Sequence, residues 1–160
     1  MPDIKKQLLD RIENKTATVG VLGLGYVGLP LAVEKAKAGY KTIGFDVQDK
    51  KVVMVNSGVN YIGDIIDADL ESVVRSGKLT ASSDFSRISE LDCIAICVPT
   101  PLDNFQQPDI SYVKNSTEVI GKYLHRGMLV TLESTTYPGT TEELVQPILE
   151  STSGLKCGKD

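Results

Sequence analysis

Apolar positions along this chain switch repeatedly between two periods. The run ATVGVLG (17–23) is short, β-rich and continuously apolar, as a buried strand requires. VGLPLAVEKAKAG (27–39) carries its apolar residues at helical spacing and stops at Gly39, and KTIGFDV (41–47) returns to the strand pattern. Together they predict a βαβ unit of about 30 residues. QDKKVVMVNSG then predicts a helix ending near Gly58, DADLESVVRSGKL another ending near Gly77, and LTASSD a short strand. LDCIAICVPTP reads as a buried strand stopped by Pro99 and Pro101, followed by the polar loop DNFQQPD and the helix ISYVKNSTEVIGKYLHRG. MLVTLEST is a further strand. TTEELVQPILEST is a last helix, which tolerates Pro147 only at a kink or in its first turn. Such alternation predicts a doubly wound α/β fold, a parallel sheet with helices on both faces. The first fifteen residues predict an extra helix, a separate N-terminal extension (1–15) ahead of the main domain (16–160).

Composition narrows the partners. A chain of 160 residues can bury a real core, and 41% hydrophobic with 24% charged residues is ordinary for a globular protein. With 21 acidic against 17 basic residues it lacks the concentrated positive face that nucleic acid requires. No run of about 18 apolar residues offers a membrane span. The charged N-terminus is not a secretory signal, so a cytoplasmic location is expected. Cys93 and Cys97 lie four apart in DCIAICV, on one side of the predicted strand, and are expected to be small buried hydrophobes. With one histidine, His125, no metal site is expected; His125 is placed near a helix terminus rather than in a catalytic role.

The chemistry concentrates in GLGYVG, between the first strand and the first long helix. Gly23 permits a tight turn, Gly25 lets backbone approach a pyrophosphate, and Gly28 lets the helix pack closely on the sheet. The amides of Tyr26 and Val27 are the expected pyrophosphate donors. Asp46 follows Gly28 by eighteen residues at the end of the second strand, where a carboxylate accepts hydrogen bonds from both hydroxyls of an adenine ribose. Its charge opposes a 2′-phosphate, which favours NAD over NADP. Lys51 could reach the ribose or a phosphate, or simply belong to an exposed helix face. Pro30 falls in the first helical turn, where its missing N–H is tolerated.

Two further strand ends, CVPTPLD (97–103) and ESTTYPGTTEE (133–143), are expected at the same sheet edge. With GLGYVGLPLA, in this order, they make the chain resemble the nucleotide-sugar dehydrogenases, from about residue 16 onward. The lead-in sequence and NSGVNYIGDI look most like the UDP-N-acetylglucosamine or UDP-N-acetylgalactosamine branch, with UDP-glucose and GDP-mannose 6-dehydrogenases as alternatives. The resemblance implies oxidation of a UDP-sugar at carbon 6 to a carboxylate with two NAD, in polysaccharide precursor synthesis. It makes Thr100 a cofactor contact, Val98 and Pro99 walls of the nicotinamide pocket, and Thr135 a contact to NAD that also helps hold a catalytic water. As turn formers or helix caps, both threonines would have ordinary structural roles. The part played by Glu133 is left open.

The resemblance also implies what lies elsewhere. The family's nucleophilic cysteine, which captures the aldehyde as a thiohemiacetal, belongs to a GFGG-x-C-x-P-K type motif; Cys157, in GLKCGKD, lacks that setting. The catalytic glutamate segment, the central dimerisation helix, the UDP-sugar domain and the last strand of the sheet are likewise expected beyond residue 160. This chain is thus expected to be the NAD-binding portion of a homodimeric or higher-order parent, binding NAD without turnover. A β-hydroxyacid or 6-phosphogluconate-type dehydrogenase would carry a glycine-serine segment where ESTTYPGTT stands, and a standalone NAD-binding regulatory module is the reading from a different class.

Overall fold

The computed structural model of the chain describes residues 3–102 and 106–160. Helix α1 (Ile4–Glu13) leads into strand β1 (Thr18–Leu22), helix α2 (Gly28–Lys37) and strand β2 (Lys41–Phe45). Helices α3 (Asp49–Asn56) and α4 (Asp67–Arg75) precede strand β3 (Leu79–Ser82), and a 3₁₀ turn (Phe85–Glu90) leads to β4 (Cys93–Ile96). Helix α5 (Ser111–Tyr123), strand β5 (Leu129–Leu132), a π-helical turn (Thr141–Val145) and helix α6 (Gln146–Ser153) follow.

All strands are parallel, in the order β3-β2-β1-β4-β5. β1 is central, with all five residues buried. Alternate strand residues feed two cores. Val21, Leu79, Ala81 and Ala95 pack with Leu29, Val33, Leu70 and Val73 of α2 and α4. Leu22, Ile43, Phe45, Ile94 and Ile96 pack on the opposite face with Ile88 and Ile120. A sheet covered on both faces explains the continuous apolar runs. The chain leaves β1 toward β2 on one side while β4 pairs on the other, so a crevice opens at the carboxyl ends of these strands.

Several boundaries differ from expectation. β4 ends at Ile96, short of Pro99, because its ladder with β1 stops at the Leu22–Ile96 pair. Cys97 therefore lies past the strand and joins the α2-side core, whereas Cys93 is only half-buried. His125 lies beyond α5, and its Nε2 meets the Leu91 carbonyl at 2.8 Å instead of capping the helix. Pro147 lies two residues past the π-helical turn, in the first turn of α6 as expected, where a missing N–H is tolerated. The edge of β3 is covered by Asn56, whose carboxamide donates to the Ala81 carbonyl (2.9 Å) and accepts from the Ala81 amide (2.7 Å), standing in for a neighbouring strand.

The opposite, amino edge is held by buried Asp92. Its carboxylate accepts from the Thr18 amide at 2.7 Å and pairs with Arg11 of α1. α1, none of whose residues is buried, is further tied down where Tyr40 donates to the Ile12 carbonyl at 2.9 Å. Replacing Asp92 with Ala leaves the buried Thr18 amide without its acceptor, a loss of about 2 kcal/mol. Arg11 is half-exposed, so Arg11→Ala should cost less than about 1 kcal/mol. Urea denaturation checks both; equal losses in the two variants would contradict this assignment.

Candidate functional site

The glycine loop turns at the carboxyl end of β1. Gly23 adopts φ 96°, and a Cβ there would lie 2.5 Å from the Cys97 carbonyl oxygen, so a side chain is excluded by both conformation and space. A Cβ on Gly28 would stand 1.7 Å from the Gly23 carbonyl oxygen, the close packing that lets α2 start against the turn. Gly25 is different, because nothing of the protein lies within 4 Å of its added Cβ. That open space faces the start of α2, where Val27 supplies no side-chain cap. Among the described residues, the backbone amides of Gly25, Tyr26, Val27 and Gly28 have no acceptor. Unpaired amides at the positive end of a helix dipole form an anion site. The side chains of Tyr26 and Val27 are exposed.

Asp46 lies buried at the end of β2. Its Oδ2 accepts from the Leu24 amide (2.9 Å) and from Lys51 Nζ (3.3 Å), and its Oδ1 accepts from the Gln48 amide (2.9 Å). The carboxylate therefore shapes the glycine loop as well as the crevice beside it. That crevice, about 400 Å³, brings Gly23, Asp46, Lys51, Val98 and Pro99 together. Its remaining wall escaped the sequence reading. Phe85, from the 3₁₀ turn, stacks on Phe45 with ring centroids 6.0 Å apart. Tyr112, Asn115, Ser116 and Val119 line it from α5. Their spacing of three, one and three residues marks one helical face, a signal present in the sequence, although only packing shows which face meets the crevice.

Past β4 and β5, two side chains fasten the strand-end loops together. Thr100 Oγ1 donates to the Thr135 carbonyl and Ser134 Oγ to the Val98 carbonyl, both at 2.7 Å. The structure thus joins Thr100 to Thr135, using the hydroxyl of the first and the backbone of the second. Ser134 was not singled out from sequence. Glu133 is exposed, and Asp103 lies outside the described residues. Cys93 and Cys97 are not activated thiols: burial, reinforced by Glu133, pushes Cys97 up to about 11, and burial also raises Cys93. A second cavity, about 260 Å³, lies between β5 and α6, beside the first residues of β5.

A glycine turn, an uncapped helix start and a buried carboxylate at the neighbouring strand end meet at the switch point of a parallel sheet, the arrangement that dinucleotide recognition requires. The sequence matches the UDP-glucose/GDP-mannose dehydrogenase family, NAD binding domain, over residues 17–160. The chain belongs to that family. It is 39% identical over 142 residues to UDP-N-acetyl-D-glucosamine 6-dehydrogenase of Salmonella typhi, covering 89% of this chain and 32% of the relative. It is 38% identical over 143 residues to UDP-N-acetyl-D-mannosamine dehydrogenase of Pyrococcus horikoshii, covering 89% and 34%. The solved NDP-N-acetyl-D-galactosaminuronic acid dehydrogenase from Methanosarcina mazei Go1 superposes with TM-score 0.89 at 40% identity, over 100% of this chain and 36% of that one. The chain spans about a third of the length of these relatives. Its cofactor is NAD.

Gly25→Ala and Gly28→Ala separate binding from folding. The first adds a methyl group to the open space before α2 and should leave the melting temperature unchanged while weakening NAD at least tenfold. The second drives a methyl group into backbone and should lower the melting temperature by several degrees. Paired thermal unfolding and NAD titration check this; undiminished NAD affinity in Gly25→Ala would sink it.

Proposed function

We propose that the chain is the NAD-binding portion of a UDP-N-acetylhexosamine 6-dehydrogenase that oxidises the sugar's C6 alcohol to a carboxylate with two NAD. The reading assigns Gly23, Gly25, Tyr26, Val27 and Gly28 to the pyrophosphate, and Asp46 with Lys51 to the adenine-side ribose. Val98, Pro99, Thr100 and Thr135 are assigned toward the nicotinamide, with Thr135 also positioning water for catalysis. When bound, NAD accepts the hydride removed from the sugar carbon; the residues of this chain hold and orient it.

The observation that carries the proposal is the pairing of unpartnered α2 amides with Asp46 across one turn. Two carboxylate oxygens offer about four acceptor positions, of which three are occupied here. One is open, and release of the long Lys51 contact opens a second, so the site matches a diol and repels a phosphate. The N-acetylhexosamine branch is supported by 38% and 39% identity to two such relatives. Three free cysteines, and no helix among the described residues long and apolar enough to cross a membrane, fit our placement of the parent enzyme in the cytoplasm. We assign the parent a homodimeric or higher assembly.

The chain by itself binds NAD and does not turn over, since Cys93 and Cys97 are held protonated by burial and Cys157 stands outside the glycine-flanked motif of the family's nucleophile. Calorimetry on the wild type and Asp46→Ala should show NAD preferred over NADP, and both NAD affinity and that preference reduced in the variant. An Asp46→Ala protein that binds NAD as well as the wild type, or reduction of NAD by the chain with UDP-N-acetylglucosamine, would refute the proposal.

A further inference from the structure

Leu24, the residue between the first two glycines of the turn, is held from both sides by groups outside the loop. Its amide donates to Asp46 Oδ2 at 2.9 Å, and its carbonyl accepts from the phenol of Tyr61 at 2.8 Å. Its side chain is fully buried in the α2-side core, against which the Tyr61 ring also packs. The peptide units on either side of Leu24 therefore cannot rotate without breaking one bond or the other, and these units aim the chain toward Gly25 and the open amides of α2.

Tyr61 comes from the connection between α3 and α4, thirty-seven residues from its partner. That connection is itself braced. Asn60 donates to the Ile65 carbonyl and to Asp67, both at 2.8 Å, and accepts from the Ile62 amide at 2.9 Å. Ile62 and Ile65, on either side of this turn, are buried in the same core. Tyr61 is thus presented on a rigid turn. Burial, reinforced by the Asp46 charge, pushes its phenol upward, so it remains a proton donor across the ordinary pH range.

We infer that Tyr61 is a positioning residue for the cofactor: by donating to the Leu24 carbonyl it fixes the glycine turn in the shape that presents the Gly25–Gly28 amides to a pyrophosphate. The inference rests on the assignment of that loop to NAD. Tyr61 touches no part of the crevice, and its effect runs through Leu24. An oxyanion cradle made of backbone amides binds well only if it is preorganised, because reorganising it on binding subtracts from affinity. The site therefore depends on a tyrosine that lies outside both the glycine fingerprint and the ribose carboxylate.

Tyr61→Phe keeps the ring and removes only the donor. The Kd of the chain for ADP-ribose, which carries the pyrophosphate, and for adenosine, which does not, is to be measured in the wild type and in Tyr61→Phe, with thermal unfolding of both proteins. ADP-ribose should weaken roughly three- to tenfold, the range for loss of one neutral hydrogen bond, while adenosine is unchanged. Equal weakening of both ligands would show that the hydroxyl supports the domain generally, and unchanged binding of both would show that the turn holds its shape without it; either overturns the inference. Wild-type protein that fails to bind ADP-ribose would instead overturn the NAD assignment itself. Should Tyr61→Phe fail to fold, Asn60→Ala, which loosens the turn presenting the tyrosine, must show the same selectivity for ADP-ribose.

Discussion

The site depends on how the chain is held as it leaves β1. A peptide turning through a left-handed glycine has no repeating ladder to fix it, and the amides it should present belong to the first, unpaired turn of a helix. Here the turn is fixed at Leu24, by Asp46 on the amide, Tyr61 on the carbonyl and the hydrophobic core around the side chain. The same carboxylate that shapes the turn lines the crevice. On the assignment we propose, ribose and pyrophosphate recognition share one anchor, and a change at Asp46 affects both.

The remainder of the fold places this anchor. Parallel pairing of β1 with β2 and with β4 brings Leu22, Phe45 and Ile96 to one level, so the loops that follow them leave the sheet side by side. Two cores keep these strands from sliding, because a register change of one residue would exchange the faces they bury. Beyond β4 and β5, the bonds from Thr100 and Ser134 join two connections that the sheet itself leaves separate. Asp92 at the amino edge and Asn56 at the β3 edge perform comparable work with single side chains, supplying partners that the backbone ladder does not.

Much of this was legible in the sequence because it is periodic or local. The switch from β to helical spacing at Gly23–Gly28 and the carboxylate at Asp46 both survive as patterns within one βαβ unit, and the order of elements followed from the same alternation. Strand lengths were overestimated, since an apolar run does not reveal where its neighbour's ladder stops; Val98 and Pro99 belong to a loop. Tyr61, Ser134 and Asn56 were illegible for another reason. Each acts through one long-range hydrogen bond to backbone, which imposes no spacing on the residues around it. The α5 face with Tyr112 and Asn115 was not singled out, because its target is set by tertiary packing.

The central claim is that NAD binds where the chain leaves β1 and β2. Backbone amide resonances of isotopically labelled protein, followed during titration with NAD, test it directly. Shifts concentrated at Gly23–Leu29, Asp46–Lys51 and Val98–Thr100 are the predicted result, with the turn after α6 and the residues of β5 unmoved. Saturable shifts confined to the cavity between β5 and α6, or no shifts at millimolar NAD in a folded protein, would contradict the account.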